Sequence, residues 1–120
     1  MISEPARCND PESLWPPFRE KLAKLIERMK ERGFDPVVFE ARRSLARQKW
    51  LYGYGRSHHL DRKPVTWTMT SRHLVGKAAD IISHSRGWSW PEFYSALKEE
   101  AKPLGLTTIK QEACHVQWGR

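Results

Sequence analysis

Two short stretches of the chain concentrate groups that bind metals and move protons: Ser71-Arg-His73-Leu-Val-Gly76-Lys-Ala78-Ala-Asp80 and Glu112-Ala-Cys-His115-Val-Gln117. Two imidazoles and one carboxylate, from His73, His115 and Asp80, give zinc three protein ligands and leave its fourth position for water. Zinc lowers the pKa of such a water to about 7, so hydroxide is available at neutral pH. A carboxylate beside that water can take its proton and later return it to a leaving amine, and Glu112 is the candidate. A cation beside the reacting carbonyl stabilises the developing oxyanion by roughly 3 kcal/mol per donor. Arg43 is the leading choice for it, and its fork also suits a substrate carboxylate. Arg42 is its rival, and because strand neighbours point to opposite faces, only one of the two points inward.

These side chains lie far apart in sequence, so the elements between them must bring them together. Residues 1–16 are polar and Pro-rich and read as a loosely held arm. Phe18, Leu22, Leu25, Ile26 and Met29 form one helical stripe in a helix that begins near Pro17 and stops at Gly33. Residues 36–41, 64–68, 78–83, 106–109 and 114–118 read as strands, the second of them containing Thr66. Ser44 is placed to cap a helix from Leu45 to about Tyr52 that Gly53 and Gly55 end. Ser89-Trp-Pro-Glu92 has the spacing of a capping box opening a third helix, which Pro103 and Gly105 close. Short strands segregated from helices predict an α+β domain with a small, mainly antiparallel sheet and about three helices.

A tight reversal centred on Gly76 and Lys77 would set His73 opposite Asp80, with β-carbons about 5 Å apart on one face; a wider loop would serve as well. On the last strand, His115 and Gln117 share a face, and Cys114, Val116 and Trp118 take the other. Cys114 is therefore expected to point away from the metal. Glu112, three residues before His115, reaches the same site only through a bulge or a turn. His58, His59 and His84 stand in polar surroundings and read as loop residues. The Trp88 and Trp90 pair reads as packing.

The pattern Ser-x-His-x-x-Gly-x-Ala-x-Asp followed by Glu-x-x-His resembles that of the zinc D-Ala-D-Ala carboxypeptidase and L-alanyl-D-glutamate endopeptidase family, which includes phage endolysins. The segment Glu40-Ala-Arg-Arg43-Ser44…Arg47-Gln48…Leu51-Tyr52-Gly…Gly55-Arg56-Ser57 is similar to another stretch of that family, and the likeness runs from about residue 18 onward in the family's order. The resemblance implies a hedgehog/D-Ala-D-Ala peptidase-like fold and a Zn2+ ion on His73, Asp80 and His115. It implies Glu112 as catalytic base, Arg43 as support for the transition state or substrate, and Ser71 and Gln48 as substrate-binding residues. The implied activity is hydrolysis of a peptide bond in the peptidoglycan stem peptide. The chain departs from the family where Leu106-Thr-Thr-Ile-Lys-Gln-Glu112 replaces a Trp-Gly-Gly run before the acid, and where Cys114 replaces an aromatic residue.

Length, composition and charge bound the remaining readings. A chain of 120 residues, 39% hydrophobic and 29% charged, predicts one globular domain, here a monomer. The net charge of +7 and pI near 9.7 favour an anionic partner such as a cell-wall surface. They also support an alternative, a basic nucleic-acid-binding or nuclease domain, although no helix-turn-helix or paired-cysteine finger is present. A non-catalytic zinc-binding relative is a further alternative, against which Glu112 argues. Two cysteines, Cys8 and Cys114, make no disulfide framework. No signal segment or apolar span of about 20 residues is found. The expectation is synthesis in the cytoplasm and action on a cell wall after release.

Overall fold

The computed structural model describes residues 4–58, 71–110 and 112–119. The expected strand at 64–68, with Thr66, and His59 lie outside these residues. Helix α1 (Pro16–Glu31) is followed by β1 (Pro36–Glu40), α2 (Leu45–Gly53), β2 (Ala78–Ser83), α3 (Pro91–Ala101), β3 (Leu106–Ile109) and β4 (Glu112–Trp118). The strands form one antiparallel sheet in the order β1-β2-β4-β3. Among the described residues no helix is long and apolar enough to cross a membrane.

One face of the sheet carries the core. The α1 stripe, Phe18, Leu22, Leu25 and Met29, is fully buried and packs with Phe93, Ala96 and Leu97 of α3 against Ala79, Ile81 and Val116 of the central strands. Ile26 lies at the margin of this core. Alternation along a strand then fixes what the other face shows. With Ala79 and Ile81 turned to the helices, Asp80 points the opposite way. With Val116 in the core, His115 and Gln117 do the same. The hydrophobic packing that secures the fold thus also aims the polar residues at a common side.

Several local signals act as expected. Ser44 accepts a hydrogen bond from the Arg47 N–H at 3.1 Å and caps α2, and Gly33, at φ 88°, follows the end of α1 in the left-handed conformation. Others do not. Helix α3 starts at Pro91 behind Trp90, and no side chain caps it, so the expected box of Ser89 and Glu92 does not form. Proline at the first helical position has no N–H to satisfy, which removes one reason for the box. The hairpin expected around Gly76 is absent as well. Arg72–Val75 forms a 3-10 turn capped by Gly76 at φ 71°, and β2 instead pairs with β1 and β4.

The described part of the N-terminal arm, residues 4–16, is not loosely held. Ala41 N–H donates to the Cys8 carbonyl at 2.7 Å, Arg42 N–H to Ser13 Oγ at 3.3 Å, and Trp15 N–H to the Gly76 carbonyl at 3.0 Å. Arg7 lies over the Phe39 ring at 3.9 Å. Polar composition gave no sign of these contacts, because each joins backbone or charge to a partner remote in sequence.

Asp35, before β1, ties the far end of β2: Ser83 Oγ donates to it at 2.6 Å and Ser85 N–H at 2.7 Å. The Ser83 and Ser85 hydrogen bonds hold its carboxyl down at about 2, against an ordinary value of 3.8. A depressed pKa stabilises the fold above the unfolded value and loses that effect as pH falls through the folded one. Asp35→Ala is therefore expected to lower the melting temperature at pH 7, with the gap to wild type closing between about pH 4 and pH 2; thermal melts across that range check it. A Cβ on Gly76 would stand 2.9 Å from the Trp15 backbone nitrogen at a backbone angle that disfavours side chains. Gly76→Ala should destabilise by about 1–3 kcal/mol in chemical denaturation.

Candidate metal and catalytic site

Asp80 is the centre of the site. Its Oδ1 lies 3.4 Å from His73 Nε2 and 3.6 Å from His115 Nδ1, and its Oδ2 lies 3.6 Å from Arg43 Nη2. Ligand atoms of His73, Asp80 and His115 all fall within 4.8 Å of one another. Nitrogen and oxygen donors 2.0–2.2 Å from a tetrahedral zinc stand about 3.3–3.6 Å apart, and both distances from Asp80 Oδ1 fall in that range.

Each imidazole has one nitrogen engaged and one left over. His73 Nδ1 is 2.8 Å from the Ala41 carbonyl, which can only accept, so Nδ1 carries the proton and Nε2 keeps its lone pair. That Nε2 is buried and has no hydrogen-bond partner, and a buried nitrogen without a partner calls for an explanation. His115 Nε2 is 2.9 Å from Gln117 Oε1, which leaves Nδ1 facing Asp80. Partners behind the ring that fix its tautomer are the usual second layer of a histidine metal site.

The electrostatics favour a cation. Burial alone would push the Asp80 carboxyl up, but the imidazoles of His115 and His73 outweigh it and hold the group well below the usual carboxylate range. Burial pushes His115 down, yet Asp80, with Gln117 and Glu112, more than reverses this and raises it. A pocket that draws positive charge onto an imidazole will also draw a metal ion.

Two irregular strands place the groups around Asp80. Between Val38 and Glu40 the β1–β2 register slips, so Phe39 is an extra residue and both Phe39 and Glu40 face one cavity of about 380 Å³. On the far side, the β3–β4 register moves from Thr108 opposite Val116 to Ile109 opposite Glu112. The resulting bulge turns Glu112, Ala113 and Cys114 together onto the cavity wall. This is the bulge Glu112 requires, and it sets Glu112 Oε2 4.0 Å from His115 Nδ1. It also overturns the expected orientation of Cys114. The thiol faces Asp80, and burial, followed by the Asp80 and Glu112 charges, pushes it well above its usual range. It remains outside the group of three that could hold a metal.

Arg43 is buried and faces the site, whereas Arg42 is exposed. Its N–H donates to the His73 carbonyl at 2.9 Å, its Nη1 to Gln48 Oε1 at 2.7 Å and its Nη2 to Glu40 Oε1 at 2.7 Å. Gln48 is fully buried and is absent from the cavity wall, so it orients Arg43 and offers no substrate contact there. Ser71 accepts a hydrogen bond from the His73 N–H at 3.2 Å and caps the 3-10 turn, a positioning contact. Sequence reading missed Glu40 and Arg47. Glu40 is 2% exposed and also binds Arg47 Nε; the i, i+3 and i, i+7 spacing of these three charges was the available signal. Trp88 also belongs to the cavity: half-exposed, it meets Phe39 edge to face at 5.0 Å.

No family model matches the sequence, and no curated protein matches it. Solved structures do share its fold. The L,D-carboxypeptidase DacB from Streptococcus pneumonia aligns with a TM-score of 0.65 at 24% identity, over 88% of this chain and 66% of that one. The D,D-pentapeptidase VanY from the VanB-type resistance cassette, in complex with Zn(II), gives 0.69 at 18%, over 88% and 72%. The Serratia marcescens L-Ala D-Glu endopeptidase ChiX gives 0.56 at 22%, over 90% and 82%. The chain thus spans slightly under two thirds of the length of DacB.

The arrangement predicts one zinc per chain by calorimetry. His73→Ala or His115→Ala should abolish binding. Gln117→Ala, which frees the His115 ring, should weaken it about 10–100-fold. Unchanged affinity in Gln117→Ala would mean that the ring is oriented by something else.

Proposed function

We propose that this chain is a zinc-dependent peptidase that hydrolyses a peptide bond of the peptidoglycan stem peptide, as an endolysin-like endopeptidase or D,D-carboxypeptidase. One observation carries the reading. His73, Asp80 and His115 each turn one ligand atom to within 4.8 Å of the others, beside a cavity that also holds a carboxylate and a guanidinium. The shared fold with DacB, VanY and ChiX supports it, since those proteins are named for cleavage of such peptides and one of them holds Zn(II).

His73, Asp80 and His115 would hold the ion. Zinc there supplies Lewis-acid chemistry, acidifying water to a pKa of about 7 and polarising a carbonyl. The remaining work falls to the chain's own side chains. Glu112, with 38% of its side chain exposed, stands on the open side of His115 and can accept a proton from the attacking water, then pass it to the departing amine. Arg43, clamped by Glu40 and Gln48, presents a fixed positive charge to the oxygen that becomes anionic, with no reorganisation needed during reaction. Phe39, Trp88 and Tyr94 give the cavity an apolar side that excludes water from the peptide. Tyr94 donates its hydroxyl proton to the Gly87 carbonyl at 2.9 Å, and burial followed by Cys114 raises its pKa to about 12, so it stays protonated.

The net charge of +7 supports retention on the phosphates and carboxylates of a cell wall. We place the enzyme's action there, after release from the cell that makes it, in the manner of a bacteriolytic phage enzyme.

A chelator should abolish release of peptides from purified cell walls, and added zinc should restore it. Glu112→Ala should keep the metal and lose about 10²–10⁴-fold in kcat. Mass spectrometry of the fragments identifies the bond, and a variant that still cuts at the wild-type rate removes Glu112 from the mechanism.

A further inference from the structure

The mechanism leaves Arg47 without a role, although it lines the same cavity as Arg43 and Asp80. It sits in the first turn of α2, where Ser44 holds its backbone. Its Nε is bound to Glu40, which fixes the guanidinium plane from behind. The other end of the fork meets the N-terminal arm beside the cavity wall that Arg47 helps to form. There Nη1 donates to Glu4 Oε2 at 2.6 Å and to the Pro5 carbonyl at 3.1 Å. A carboxylate next to a peptide carbonyl is what an acidic peptide lying in a peptidase cleft would present.

We propose that Arg47 is a carboxylate-recognition residue of the cleft, and that Glu4 and Pro5 of the chain's own arm fill its subsite in place of a peptide bearing a free carboxylate.

The two carboxylates on Arg47 differ in kind. Glu40 is 2% exposed and belongs to the interior, while 52% of the Glu4 side chain remains exposed. Only the Glu4 side of its pair with Arg47 is open to water, and screening there makes that pair weaker and more exchangeable than the interior one. Glu4 can therefore be displaced while Glu40 keeps the fork in place. The arm reaches the subsite because Cys8 is tied to Ala41 at 2.7 Å and Arg7 rests on Phe39, itself a wall of the cavity. Arginine is suited to this task, since its planar fork takes two acceptors at once and stays charged at any working pH. The ligand class rests on the peptidase reading and is a stem peptide with an unamidated carboxyl group.

The test is a titration of the zinc-loaded full-length chain with two probes, acetyl-Glu-Pro-amide and acetyl-Gln-Pro-amide. Glu4→Ala should bind the Glu probe about tenfold more tightly than the Gln probe, the difference between a charged and a neutral acceptor. It should also bind the Glu probe about tenfold more tightly than wild type does, because in wild type the subsite is filled. Adding the neutral substitution Arg47→Gln should erase the discrimination. Equal binding of both probes by Glu4→Ala, or equal binding of the Glu probe by Glu4→Ala and wild type, overturns the proposal. Both comparisons use chains with an intact interior, so they decide the matter even where Arg47→Gln folds poorly. The titration reads binding alone. A chain that passes it but cuts no cell wall refutes the peptidase reading and keeps the subsite, and a chain that cuts walls but fails it does the reverse.

Discussion

Two carboxylates face each other across the β1–β2 pair, Glu40 directly opposite Asp80, and in a half-dry interior that pairing would drive the strands apart. Arg43 is the solution. One of its amino groups lies 2.7 Å from Glu40 and 3.6 Å from Asp80, and Glu40 gives its second oxygen to Arg47. Charges therefore alternate from Glu4 through Arg47, Glu40 and Arg43 to Asp80. Removing one member of a buried pair costs about 3–5 kcal/mol, because the survivor is left charged in a poor solvent. The segment between β1 and α2 is held in one conformation by this penalty as much as by its hydrogen bonds.

That conformation determines what Asp80 can do. With Oδ2 turned toward Arg43, Oδ1 is left between the two imidazoles. The same segment also orients His73, since Ala41 accepts from its Nδ1 and the Arg43 N–H binds its carbonyl. A disturbance at Glu40 would reach the metal ligands along two routes, through the Asp80 carboxylate and through the backbone of residues 41–43. The metal site and the positive charge beside it are one mechanical unit.

Much of this was legible in the residues because it depends on local rules. The α1 stripe and the outward direction of His115 behind a buried Val116 follow from periodicity, and the start of α2 from a capping serine. The need for a bulge at Glu112 followed from the same alternation. What was hidden depends on contacts between remote segments or on a choice between near-equal backbones. His73 arrives on a 3-10 turn instead of a strand because Gly76 can take a left-handed angle against the Trp15 backbone. The arm is held by Ala41, Arg47 and Gly76, none of them its neighbours in sequence. Cys114 turned inward because the bulge is longer than a single residue and suspends alternation over 113–114, while His115 keeps its register opposite Asp80.

The bulge also explains how two carboxylates close to one histidine can take different tasks. Asp80, on a regular strand, keeps 15% of its side chain exposed and is surrounded by imidazoles and a guanidinium. Such surroundings keep it ionised and stationary, as a ligand must be. Glu112 comes from the irregular part of β4 and retains 38% exposure, with His115 4.0 Å away as the one ion-pair partner shown for it among the described residues. Its carboxylate is therefore accessible to a reacting group from the open side of the cavity. Environment divides the work between them. A straight β4 would have sent Glu112 to the other face of the sheet and left the cavity with a ligand set but no base.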